Sequence, residues 1–251
     1  MEHALTRTEW LIGATAVAQL NASSVLILGV GGVGSFAAEA LARSGIGTLM
    51  LVDHDYVDPT NLNRQIQALQ TTVGLPKASV LQERLLQTIP GINVQSRVES
   101  FSSENSGTFF NRHWDFVIDA MDSVSAKVEV IRLCRQRSIP VISCMGAGNR
   151  LDPEKITVTD LADTHGCPLA RIMRKELRKI NIHHVDVVFS SETPVTIHRP
   201  KTAGGSPASI SYVPSVAGLM MAGHVVRRLI KTNENHTGRV LRETNRPSDQ
   251  D

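Results

Sequence analysis

A chain of 251 residues, 41% apolar and 20% charged, is long enough to bury one full α/β core, and its composition is that of a globular protein in water. A net charge of only +2 excludes general attraction to polyanions, so any nucleic-acid binding must come from a local patch. The opening MEHALTRTEW lacks a basic-then-apolar leader, no run reaches bilayer length, and three scattered cysteines without a CxxC pair argue for reduced thiols, no zinc, no membrane and a cytoplasmic location.

In chain order, residues 10–20 predict a helix leading into Val25-Leu26-Ile27-Leu28, a run apolar enough for a strand buried on both faces. GVGGVGS follows, and then a helix from Ser35. A strand, a glycine turn and a helix N-terminus form an anion site, because backbone N–H groups can approach a phosphate that no Cβ blocks and the helix dipole favours negative charge. Gly29, Gly31 and Gly34 satisfy GxGxxG, while the additional Gly32 leaves NAD and ATP both open. A second strand, residues 48–52, ends at Asp53. A helix over 77–88 stops at Pro90-Gly91, and 92–98 alternates like a strand. Phe116-Val117-Ile118 is a buried strand ending at Asp119, residues 125–137 a helix, and 140–143 another strand. Strands alternating with helices predict an α/β fold of Rossmann-like, doubly wound, mainly parallel type.

Beyond Asp152 the pattern changes to a C-terminal α+β extension: a basic helix over 169–180, strand-like VDVVFS, a Gly/Pro/Ser-rich loop at 200–209 and a mostly apolar helix over about 214–230. That last helix is expected in the core or at a dimer interface. The polar residues 232–251 are expected to be disordered. One domain over 1–231 accounts for the pattern, with a nucleotide-binding part at about 5–160 and a substrate part at about 160–231.

Ligands in such sheets lie beyond the C-terminal strand ends, where the unusual polar residues collect. Asp53 stands where a carboxylate binds ribose, in NAD or ATP equally. The polar loop DHDYVDPTNLNRQ, carrying Asp55, Asn61, Asn63, Arg64 and Gln65 and followed by Lys77, does not suit both. A dehydrogenase has little use for two more cations beside a pyrophosphate. A triphosphate is offset by them, and a pentavalent phosphorus is stabilised by them. Asp119 and Asp122, in DAMD, supply carboxylates at another strand end, one of which could hold Mg²⁺. Taken singly, Asp53 could be a turn residue, Arg64 or Lys77 a solvated charge, and Asp119 a helix cap. The conjunction points to attack on a phosphate.

GVGGVGS, LVDHDYVDPTNLNRQ, GLPKA and DAMDS together resemble the ubiquitin-activating superfamily of adenylating enzymes. The resemblance implies ATP·Mg²⁺ and adenylation of a carboxylate with release of pyrophosphate. It places Asp53 at the ribose, Arg64, Gln65 and Lys77 around the phosphates, and Asp122 as the metal-linked catalytic aspartate. Arg7 falls where the family supplies an arginine finger from the partner subunit, which implies a homodimer. Two CxxC zinc pairs and the catalytic cysteine of sulfur-transfer members have no counterpart. GAGNRLDP, DLADTHGCPLARIMRKELRK and SYVPSVAG instead resemble the branch of tRNA threonylcarbamoyladenosine dehydratases, to about residue 231. Some of those carry a cysteine where Val213 stands, and the aspartate–asparagine pair of related enzymes is Asp122-Ser123 here.

In the second half, Arg171, Arg174, Lys175, Arg178 and Lys179 line one face of a helix, with Leu169, Ile172, Met173, Leu177 and Ile180 on the other. RNA phosphates would explain the stripe, and so would a solvated face. Cys167 is expected to be a packed thiol, and His165, His183 and His184 have no metal-like partners. The activity the resemblance implies is ATP-dependent cyclisation, with loss of water, of threonylcarbamoyladenosine beside the tRNA anticodon. Alternatives are an activator of a ubiquitin-like sulfur carrier, with a sulfurtransferase-type partner, and an NAD-dependent oxidoreductase.

Overall fold

The computed structural model describes residues 2–196 and 207–231, so the expected tail at 232–251 and most of the 200–209 loop lie outside the described residues. The first helix differs from expectation. Thr6–Ile12 (α1) and Ala14–Ala22 (α2) are separate, because Gly13 turns the chain at φ 84°. Strands follow at Ser24–Leu28 (β1), Thr48–Val52 (β2), Asn93–Arg97 (β3), Phe116–Asp119 (β4), Val141–Cys144 (β5), Ile156–Asp160 (β6) and Asp186–Ser190 (β7). The larger helices are Gly34–Arg43 (α3), Lys77–Leu86 (α4), Val124–Gln136 (α6), Pro168–Arg178 (α7) and Tyr212–Lys231 (α8), with a single turn, Ser106–Phe109 (α5), between β3 and β4.

All seven strands form one sheet in the order β3-β2-β1-β4-β5-β7-β6, parallel except that β6 runs antiparallel to β7. The C-terminal extension therefore widens the same sheet. Strand order reverses between β1 and β4, and there the register aligns the strand ends: Leu28 lies opposite both Val52 and Asp119. Gly29, Asp53 and Ala120 consequently leave the sheet side by side, which is the crevice such topologies use for ligands.

Two apolar layers cover the faces. One unites α3, α4 and α8 through residues such as Leu41, Leu81 and Met221. The other sets α6 and α7 on a cluster around Trp114, Phe110 and Met173. Of the two places expected for the last helix, the structure gives it the core: Val213, Ala217, Met221 and Val225 are buried, and Gly218 lets it approach α3 so closely that a Cβ there would sit 2.2 Å from the Val33 carbonyl. In α7 the apolar side is narrower than expected. Ala170, Met173 and Leu177 are buried, but Ile172 and Ile180 are 42% and 38% exposed, because only the first three face α6 and the sheet.

Candidate active site

The glycines of the turn divide by what each requires. Gly29 has φ 83°, and a Cβ on it would lie 2.8 Å from the Ala120 carbonyl oxygen; one on Gly34 would lie 1.9 Å from that of Gly29. Those two are needed by the fold itself. At Gly31 the nearest atom to a Cβ would be Gln65 Nε2, 3.9 Å away, so the turn opens there into a cradle facing an amide. Gly32 lies against Pro214 and the Arg64 stem.

Asp53 holds this turn from β2. Its Oδ2 accepts from the Val30 N–H at 2.7 Å and its Oδ1 from the Asp55 N–H at 2.9 Å, leaving each oxygen a lone pair for a ribose hydroxyl. Behind the turn sits Gln67, 1% exposed, which the sequence reading missed. Its Nε2 donates to the Val30 carbonyl at 2.7 Å and lies 3.4 Å from Gln65 Oε1, so it steadies both the turn and the buried Gln65 amide. The only signal was a polar residue between Ile66 and Ala68.

Two cations reach the site in different states. Lys77 is nearly buried at the start of α4, pinned to Asp55 Oδ2 at 2.7 Å, and its own N–H donates to the Asp55 carbonyl. Arg64 is held through one nitrogen, Nη1, by the Thr60 carbonyl and Asn63 Oδ1, leaving most of its fork for a ligand. Asn61 and Asn63, expected at the nucleotide, are hydrogen-bonded in shaping the loop. Asn61 Oδ1 accepts from the Asp58 N–H at 3.1 Å, and Asn63 Nδ2 donates to the Ser209 carbonyl at 3.1 Å. Asp58 caps the same loop, and its hydrogen bonds from Thr60 hold its carboxyl below the usual range.

The two aspartates of DAMD separate sharply. Asp119 was expected beside the cofactor, and the structure corrects that. It is fully buried, accepting from Lys127 Nζ (3.1 Å), Ser143 Oγ (2.6 Å) and the Met121 N–H (3.2 Å), while Lys127 also donates to the Cys144 carbonyl at 2.7 Å. This pair ties β4, β5 and α6 together and offers no ligand atom. Asp122 is exposed one residue before the α6 cap Ser123 and has no hydrogen bond or ion pair with any described residue. The Asp53 and Asp55 carboxylates and the His54 imidazole also cluster closely enough to hold a cation, with Asp53 bonded to the Val30 N–H and Asp55 paired with Lys77. The carboxylate left over among the described residues here is Asp122, and its chemistry fits a magnesium ion.

Arg7 is exposed on α1 with no partner among the described residues, and α1 is anchored by Leu5 against Gly45, beyond the far end of α3 from the glycine turn. No described contact brings it to the turn of its own chain. On α7, Arg171, Lys175, Arg178 and Lys179 are exposed and line an open concavity together with Arg174. Arg174 is half-committed to the fold, donating to the Thr164 carbonyl at 2.8 Å. Lys179 pairs with Glu176. Cys134, Cys144 and Cys167 are all buried; burial pushes the Cys134 thiol well up and that of Cys144 to about 12, so these two are packing groups at neutral pH. No described helix is long and apolar enough to cross a membrane.

The family model described as the ThiF family matches residues 6–250. A tRNA threonylcarbamoyladenosine dehydratase of Bacillus subtilis is 43% identical over 247 residues, covering 93% of this chain and 97% of that protein. The Escherichia coli tRNA N6-threonylcarbamoyladenosine dehydratase in complex with ATP superposes with a TM-score of 0.85 at 35% identity, over 93% of this chain and 96% of that one. Its complex with AMP gives 0.84 at 36%, over 92% and 95%.

Proposed function

We infer the activity from one premise: the chain belongs to the ThiF family. Within it, the activity is that of the dehydratases that act on threonylcarbamoyladenosine in tRNA at the expense of ATP. The observation that carries this reading is the cradle at Gly31, open toward Gln65, with the Arg64 stem against the adjacent Gly32.

The residues divide the work as follows. Backbone N–H groups of Gly31–Gly34, at the α3 N-terminus, receive the phosphates, with Asp53 at the ribose and Arg64, Gln65 and Lys77 around the triphosphate. The side-chain carboxylate of the modified adenosine attacks the α-phosphorus, forming the acyl–phosphate bond while pyrophosphate leaves. An atom of the same side chain then displaces AMP and loses its proton, closing a ring with net loss of water. Asp122 would hold Mg²⁺, which offsets phosphate charge when bound. Positioning and charge stabilisation suffice, so no enzyme nucleophile is needed. The exposed α7 cations bind tRNA phosphates, and residues 1–231 act as one unit.

The direct test is incubation with ATP, Mg²⁺ and threonylcarbamoylated tRNA, followed by nucleoside mass analysis. A nucleoside lighter by one water, with AMP and pyrophosphate formed in step, is expected; unchanged nucleoside would refute the reading. We further propose that Arg7 acts from a second copy of the chain, since no described contact brings it to its own turn. Mixing Arg7→Ala with Asp122→Asn, each impaired alone, should then raise the rate above that of either variant, and a mixture of demonstrably exchanged subunits no faster than the variants alone would exclude it.

A further inference from the structure

Beyond β5 the chain runs Met145-Gly146-Ala147-Gly148-Asn149-Arg150, at the same sheet edge as the glycine turn. Arg150 is 3% exposed, and its Nε and Nη1 are buried with no hydrogen-bond partner. A guanidinium cannot escape this by losing its proton, so its desolvation goes uncompensated in the protein without ligands. The carboxylate beside it in the loop does not help. Glu192 accepts instead from the backbone N–H groups of Leu151 (3.0 and 3.1 Å) and Asp152 (3.0 Å).

The neighbourhood connects Arg150 to the phosphate cations. Asn149 exchanges two hydrogen bonds with Ala208, each 2.8 Å, and Pro207 packs directly on Gly148. The next residue, Ser209, accepts from Asn63, which holds Arg64. Pro214, a few residues on, touches Gly32. One short segment thus spans from the Arg150 loop to the nucleotide loop.

We propose that Arg150 is the receptor for the carboxylate of the substrate side chain, pairing one edge of its fork with that group while ATP occupies the turn. This rests on the function inferred above and deepens it. Folding has stripped water from Nε and Nη1 and supplied them no partner, which is the state of a site built for an anion that arrives with the substrate. The required anion is a carboxylate, and bidentate pairing would orient it for attack.

The test compares equilibrium binding of threonylcarbamoylated tRNA with that of the same tRNA lacking the side chain, in wild type, Arg150→Met and Arg150→Lys. Wild type should prefer the modified tRNA. In Arg150→Met that preference should fall by about 10–100-fold, as for loss of a charge-assisted pair, while affinities for unmodified tRNA and for ATP stay unchanged. Its melting temperature should not drop, since no native partner is removed; Arg150→Lys should keep part of the preference. A preference that survives in Arg150→Met overturns the proposal. So does a lowered melting temperature with all three affinities falling together, which would make Arg150 a structural residue. A wild type that neither prefers the modified tRNA nor converts it would instead overturn the function on which the proposal rests.

Discussion

The strand-end pocket and the outer face of α7 are both rich in charge, and they use it oppositely. At the strand ends Lys77 is nearly buried and fixed by Asp55, and beneath them Lys127 is fully buried and fixed by Asp119, so the frame around the glycine turn is set before any ligand arrives. On α7, Arg171, Lys175 and Arg178 stand in solvent without a described ion pair, ready to follow a polyanion but not to orient a reacting atom. Buried, paired charge gives geometry; exposed, free charge gives salt-dependent affinity. Chemistry needs the first and docking the second.

The contrast is best attacked first at its buried end. Lys127→Met leaves Asp119 enclosed without its cation, and breaking such a pair costs about 3–5 kcal/mol. A fall of that size in unfolding free energy is expected from denaturant titration, whereas Arg171→Gln should leave the transition where it was. Next comes Asp122, charged but free. Asp122→Asn should preserve the melting curve yet slow AMP formation about 10–100-fold, the value of roughly 1.5–3 kcal/mol of charge-assisted bonding. Stopped-time nucleotide analysis reads it, and an unimpaired rate would remove Asp122 from the site.

On the exposed side, Arg171, Lys175 and Arg178 changed together to Gln should flatten the plot of log tRNA affinity against log salt, by about 0.7–0.9 for each phosphate that is no longer neutralised. ATP affinity should be unmoved. Arg174 is left out because its bond to Thr164 would mix stability into the result. An unchanged slope would return α7 to a plain solvated face.

The smallest effect concerns a half-buried pair. His224 on α8 lies 3.1 Å from Asp186 at the start of β7, and this hydrogen bond, more than the nearby charges, holds the Asp186 carboxyl below its ordinary value. A lowered folded-state value means the stabilisation is complete above the unfolded value of about 3.9 and is lost as pH falls through the folded one. Asp186→Asn should therefore lower the melting temperature slightly at pH 7 and narrow the gap to wild type below about pH 4. A gap independent of pH would mean that the pair contributes no linkage.

How much could be read in advance follows the same division. The parallel strands announced themselves as apolar runs, and the turn as glycines, because both are local patterns. The edge strand β6, Ile156–Asp160, alternates with threonines on an exposed rim and carries no such run. Asp119 looked like Asp122 because both end a strand motif. Only the β4–β5 register, which sets Asp119 opposite Ser143, shows that one is sealed inside. Lys127 in VSAKVEVIRL reads as a solvent residue, and Arg150 as one more charge in a glycine loop. Their significance lies in burial, which depends on elements distant in the chain.

The approach of Gly218 to Val33 carries a consequence for the order in which the chain is made. Val33 caps α3 and closes the phosphate turn, and its carbonyl is packed under a helix that begins only at Tyr212. A ribosome delivers the turn early and that helix last among the described elements, so the first motif synthesised waits for the last to be completed. Contacts of such sequence separation are slow to form, and until then the side of α3 that Gly218 meets, at Val33, Phe36 and Ala37, has no cover. A nascent chain halted before Tyr212 is thus a candidate for chaperone capture, and a gene fragment ending there encodes no free-standing nucleotide module.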